Sequence, residues 1–96
     1  MSGESTSLSG DHFRYIAQRT TPEDAFLRDL RAAALREGIP PIQIAPEQAA
    51  FLQILLRTAR AKRVVEVGTL AGYSAIAMAR ALPPDGRVLT IEVDPK

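Results

Sequence analysis

The sequence holds no cysteine, no tryptophan and a single histidine. Without cysteine the chain can form neither a disulfide framework nor a thiolate metal site. His12 stands alone, with no motif around it, which speaks against a catalytic role. No apolar run reaches the roughly 18 residues that a membrane-spanning helix requires. Neither sign of charge is in excess: twelve Lys and Arg against eleven Asp and Glu leave a net charge of +1. That balance gives no case for nucleic acid or an anionic membrane as a partner. The first residues lack a basic segment followed by an apolar one, so no secretory signal is read there, and a cytoplasmic location is expected. Repeats and low-complexity tracts are also missing. So are the Gly-x-Gly-x-x-Gly of dinucleotide sites and the Gly-Lys-Ser/Thr ending of a phosphate loop.

What is present suffices for one small domain: 96 residues, 46% of them apolar. Residues 1–10, rich in Ser, Gly and Thr, read as a disordered leader, and residues 11–96 as a single domain. Asp11 is placed to cap a short helix over His12–Arg19, with Phe13, Ile16 and Ala17 on one face. Thr21-Pro22-Glu23-Asp24 reads as a second helix start, with Thr21 as cap and Pro22 in the first turn. Phe26, Leu27, Leu30, Ala33 and Ala34 follow at helical spacing until Gly38 and Pro40-Pro41 end it. Arg28, Arg31 and Arg36 read as a solvated face. After an extended link at Ile42–Ala45, Pro46 opens a third helix to about Ala59, with Phe51, Leu52, Leu55, Leu56 and Ala59 as its buried stripe.

The stretch Arg63–Ser74 organises the rest. Val64, Val65 and Val67 suit a strand covered on both faces. Gly68 and Gly72 allow a tight turn, and an alanine-rich helix follows from about Ser74 to Leu82. Pro83-Pro84-Asp85-Gly86 signals a turn into a second strand, Arg87–Val93. The expected fold is therefore α/β: N-terminal helices, then a parallel β–α–β unit whose ligands gather at the carboxyl ends of the strands. Glu66 among valines is costly to bury without a partner, which favours a function for it. Glu92 lies 24 residues after Gly68 (92 − 68), where an acid can accept hydrogen bonds from both hydroxyls of a ribose.

Taken together, Glu66-Val-Gly-Thr-Leu-Ala-Gly-Tyr-Ser74, Ala81-Leu-Pro-Pro-Asp-Gly-Arg-Val88 and Ile91-Glu-Val-Asp94 resemble the S-adenosylmethionine-dependent O-methyltransferases of the caffeoyl-CoA and catechol type. Ile42–Leu52 and Ala61–Arg63 also look like that family's approach to its first strand. The resemblance implies methyl transfer from S-adenosylmethionine to a hydroxyl of a small, catechol-like or phenolic acceptor. It implies a Rossmann-like sheet of which this chain is the N-terminal portion, a fragment inactive alone. By resemblance, Glu66 faces the methionine ammonium of the cofactor. Gly68 belongs to the cofactor turn. Backbone N–H groups at Thr69 and Ser74 and the Ser74 hydroxyl are placed for the cofactor's carboxylate, Glu92 takes the ribose, and Ile44, beside Ile42, lies against the cofactor. For Ile44, core packing is the alternative; for Ser74, a plain helix cap; for Tyr73, packing over the cofactor and packing against a helix stay open. Related enzymes that use a divalent metal take its ligands from later strands, so no metal ligand and no catalytic base is assigned here. Two strands leave unpaired edges, so self-association as a homodimer or higher oligomer is expected. A non-catalytic interaction module remains the alternative, and a nicotinamide-dependent oxidoreductase is disfavoured by the glycine spacing.

Overall fold

A computed structural model of the chain describes residues 7–95. Most of the leader expected at 1–10 lies outside the described residues. Its last residue, Gly10, already belongs to a helix.

Four helices and two strands run in the order α1 (Gly10–Arg19), α2 (Ala25–Arg36), α3 (Pro46–Thr58), β1 (Arg63–Val67), α4 (Tyr73–Ala79) and β2 (Arg87–Ile91). The strands pair in parallel, Val64 opposite Val88 and Glu66 opposite Thr90. The expected α/β architecture, helices first and then a β–α–β unit, is what forms.

The helix boundaries follow from local hydrogen bonds. Helix α1 is capped by Ser9 in place of Asp11. Helix α2 begins later than Thr21-Pro22 suggests, because Asp24 is the cap: its Oδ1 accepts the Leu27 N–H at 2.9 Å. Pro46 occupies the first turn of α3, and Gln48 Oε1 accepts the Ala45 N–H at 2.8 Å. Gly72, left-handed at φ +88°, precedes α4, which ends at Ala79 and not Leu82. Strand β2 stops at Ile91, two residues before the expected end, because Val93 and Asp94 turn their N–H groups onto Glu92.

The core is small and centres on α4. Leu27, Ala49, Tyr73 and Ala77 are buried together, with Leu30, Ile44 and Ile76 packed on them. Helix α4 packs on α3, α2 and β2. The stripe expected on α3 is corrected accordingly. Phe51 and Leu55 are exposed, and the small Ala49 is the buried residue, because it lets the α3 backbone approach α4. The double coverage expected for β1 does not occur either. Alternate residues Val64 and Glu66 are half-buried, whereas Val65 is 68% and Val67 83% exposed. Leu89 and Ile91 are exposed beside them on β2, in the same alternation. On α1, Phe13 and Ile16 are likewise exposed.

Arg31 is exposed, as expected of a solvated face, and also carries an ion pair. Its guanidinium grips Glu23, Nη2 to Oε1 at 2.7 Å and Nε to Oε2 at 3.2 Å, in the fork geometry that suits a carboxylate. Arg28 and Arg36 are exposed as expected.

Candidate functional site

Beyond the carboxyl ends of β1 and β2 the chain opens into a cleft of about 760 Å³. Its walls come mainly from two separate pieces of chain, with Leu52 of α3 and Met78 of α4 behind them. One piece is the link Gly38–Ile44 before α3; the other runs from Val65 through the glycine turn to Ser74, joined by Glu92. All six residues singled out in the sequence, Ile44, Glu66, Gly68, Thr69, Ser74 and Glu92, line this one cleft.

The turn is built by backbone geometry. Gly68, at φ +96°, leaves β1 while its N–H still donates to Ile91 O at 2.7 Å, the last ladder bond. Gly72 closes the turn with its N–H on Thr69 O at 2.9 Å. Between them Leu70 adopts φ 54°, a left-handed conformation that costs a non-glycine residue about 1–2 kcal/mol. Its N–H is thereby aimed at Glu92 Oε1, 2.7 Å away.

Glu92 is held from both sides. Besides Leu70, the Val93 and Asp94 N–H groups donate to Oε2 at 3.0 and 3.1 Å. These backbone donors, Leu70 foremost, pull its carboxyl below the ordinary range. Glu92 is therefore a fixed anion at the strand end rather than a loose surface acid.

Glu66, the acid among valines, is partnered by hydroxyls. Ser74 Oγ donates to Oε2, and Thr90 Oγ1 donates to Oε1 at 2.7 Å. An ionised carboxylate offers about four acceptor positions, so about two remain on Glu66 for a cationic ligand. Ser74 is not the helix cap: Gly72 takes that place, and the Ser74 hydroxyl is turned onto Glu66. Thr69 lies in the cleft wall with its hydroxyl 2.6 Å from that of Thr90.

Ile44 packs on the core and also lines the cleft. Ile42 is exposed at the cleft margin. Tyr73 is 2% exposed; it borders the cleft, packs with α2 and α3 residues, and donates its hydroxyl to Glu23 Oε2 at 2.5 Å. Thr90 is the site residue that reading the sequence missed, because a threonine in a strand is ordinary β propensity. Its register opposite Glu66 was the available signal.

A glycine turn and two fixed carboxylates at the ends of parallel strands place the chain among Rossmann-like folds with a ligand cleft at the strand ends. Among the solved structures it superposes on are O-methyltransferases. That from Bacillus cereus, in complex with SAH, gives a TM-score of 0.80 at 34% identity over 85% of this chain and 37% of that one. TomG of Streptomyces achromogenes, in complex with SAM, gives 0.74 at 36% identity over 83% and 36%. In sequence, the chain is 47% identical over 88 residues to a catechol O-methyltransferase of Niastella koreensis, spanning 92% of this chain and 39% of that protein. A family model described as O-methyltransferase matches residues 17–96. The chain belongs to the O-methyltransferase family. It spans well under half the length of these relatives.

Proposed function

We propose that this chain forms the cofactor-binding part of an S-adenosylmethionine-dependent O-methyltransferase. The observation that carries the reading is the pairing of Glu66 and Glu92 in one cleft on either side of the glycine turn. The cleft's volume is within the usual range of small-molecule sites, about 300–1,000 Å³. The donor set fits the cofactor. Glu66 has acceptor capacity left for an ammonium. Glu92 is ionised, and backbone N–H groups of Leu70, Asp94, Val93 and Thr69 meet its carboxylate, so one ribose hydroxyl is taken in exchange for one of these donors. A second hydroxyl is taken when Oε2 exchanges an exposed backbone partner for it. Ile42, Ile44 and Leu70 supply apolar wall.

When bound, the cofactor supplies a sulfonium-borne methyl group open to attack by a hydroxyl oxygen. The chain's own residues bind and orient. Glu66 holds the amino end, the turn at Gly68 and Thr69 with Ser74 borders the carboxylate, Glu92 holds the ribose, and Ile44 contacts the apolar middle. Positioning of this kind supplies much of the acceleration in transfer reactions. The acceptor we infer is a hydroxyl on a small catechol-like or phenolic molecule, in keeping with the names of the relatives. Among the described residues no cluster of His, Cys, Asp and Glu suits a metal; a divalent metal, where the whole enzyme uses one, takes ligands from outside this chain. The 96-residue chain on its own is read as binding cofactor without turnover, and as self-associating in the cytoplasm.

Calorimetric titration of the chain with S-adenosylhomocysteine, beside Glu92→Ala, tests the reading. Binding that Glu92→Ala weakens by tenfold or more, on the order of one lost charge-assisted pair, is expected. A folded chain with no affinity for the ligand overturns it and favours the interaction module.

A further inference from the structure

Thr90 does not border the cleft, yet it organises the acid that does. It faces Glu66 across the parallel ladder, so both side chains rise from the same face of the sheet. Its hydroxyl donates to Glu66 Oε1 at 2.7 Å. A hydroxyl has one proton. With that proton on Glu66, the 2.6 Å contact between Thr90 and Thr69 is a bond in which Thr69 donates. Ser74 donates to the other carboxylate oxygen. The result is one directed chain: Thr69 to Thr90 to Glu66, met from the far side by Ser74. It draws on the turn, both strands and α4. The last torsion of a glutamate is broad when unrestrained; two hydroxyl donors, one on each oxygen, fix its plane.

We infer that Thr90 is a positioning residue: its hydroxyl orients the Glu66 carboxylate toward the cleft and ties the glycine turn to β2 through Thr69. The inference rests on the proposed cofactor reading, in which Glu66 meets the amino end of the ligand. Thr90 then acts on one end of that ligand only, and a merely structural residue does not.

The test is titration of wild type, Thr90→Val and Thr90→Ser with two ligands: S-adenosylhomocysteine, and 5′-methylthioadenosine, which lacks the amino-acid end. Thr90→Val keeps the β-branched shape and removes the hydroxyl. It is expected to weaken S-adenosylhomocysteine about tenfold, the scale of one hydrogen bond to a charged group, and to leave methylthioadenosine unchanged. Thr90→Ser is expected to restore the wild-type affinity. Equal losses for both ligands, or no loss for either, overturn the proposal while leaving the function standing. Failure of wild type to bind either ligand overturns the function and the inference with it. Should Thr90→Val not fold, Thr90→Ala removes the same hydroxyl with a smaller side chain. A loss of a few-fold confined to S-adenosylhomocysteine supports the inference, and an unselective loss or none overturns it.

Discussion

Tyr73 and Glu23 stand fifty residues apart in the chain and meet through one hydrogen bond of 2.5 Å, Tyr73 Oη donating to Glu23 Oε2. The neighbouring Asp24 caps α2 and also accepts from Arg80 at the other end of α4. Two consecutive acids thus fasten the start of α2 along α4, the helix that presents Ser74 to Glu66. Tyr73→Phe removes the donor but leaves Glu23 paired with Arg31. We expect a loss of about 1.5–3 kcal/mol in unfolding free energy, the range for a hydrogen bond to a charged group, read as a lower urea midpoint at unchanged slope. An unchanged midpoint would show the contact to be idle.

The same contact sets a pH window. Arg31, then Tyr73, hold Glu23 below its ordinary 4.5 against the opposing effect of burial. A depressed acid contributes stability that is present above the unfolded value and lost as pH falls through the folded one. Burial, then the bond to Glu23, raises the Tyr73 phenol above its ordinary 10.0. That contribution is full below the unfolded value and declines as pH rises beyond it. Urea midpoints measured across pH are therefore expected to fall below about pH 4.5 and above about pH 10. Tyr73→Phe is expected to flatten the alkaline fall.

Two glycines are expected to resist substitution for different reasons. At Gly72 an added Cβ finds space, its nearest neighbour being Ile76 Cδ1 at 3.9 Å, but φ is +88°. Gly72→Ala should cost about 1–2 kcal/mol, and Gly72→Asn less, since asparagine tolerates the left-handed region. At Gly86 an added Cβ would lie 2.6 Å from Leu82 Cβ and 3.0 Å from Pro83 O. Gly86→Ala should cost about 1–3 kcal/mol through overpacking, and Gly86→Asn no less. Urea unfolding of the four variants separates the two causes by the rank of asparagine against alanine.

The exposed strand face predicts association. Val65, Val67, Leu89 and Ile91 form a contiguous apolar strip on a two-stranded sheet with two unpaired edges. Sedimentation velocity is expected to show a concentration-dependent oligomer, and Val67→Lys with Leu89→Lys is expected to shift it to monomer. A wild-type monomer at every concentration would remove self-association from the account.

The elements that could be read from the sequence are those with local causes. Valines at Val64, Val65 and Val67 followed by Gly68 mark a strand and a turn whatever surrounds them, and Pro46 starts α3 from its own ring geometry. Among the candidate cleft residues, Gly68 and Glu92 were legible from their spacing at the strand ends, whereas Ile44 and the role of Glu66 came from the family resemblance. What stayed hidden depends on partners distant in sequence. Nothing near Glu23 or Arg31 announces Tyr73, and nothing near Thr90 announces Thr69. The stripe on α3 failed for a related reason. Periodicity says which residues share a face, but whether that face is covered depends on what lies against it, and here α4 meets it at Ala49.

The parallel register of β1 and β2 makes the sheet a ruler. Glu66 is level with Thr90, so Glu92 stands one strand across and two residues further along. With strands about 4.8 Å apart and a rise of about 3.3 Å per residue, the two acids' backbones are spaced by about 8 Å. That spacing follows from the hydrogen-bonded ladder, which ends at Ile91, one residue before Glu92. Substitutions in the turn can alter what the cleft touches and, through the Leu70 N–H, where the Glu92 carboxylate is held, but not the spacing of the two backbones. Only a register slip could change that spacing, and a slip of one residue would carry Thr90 to the opposite face from Glu66.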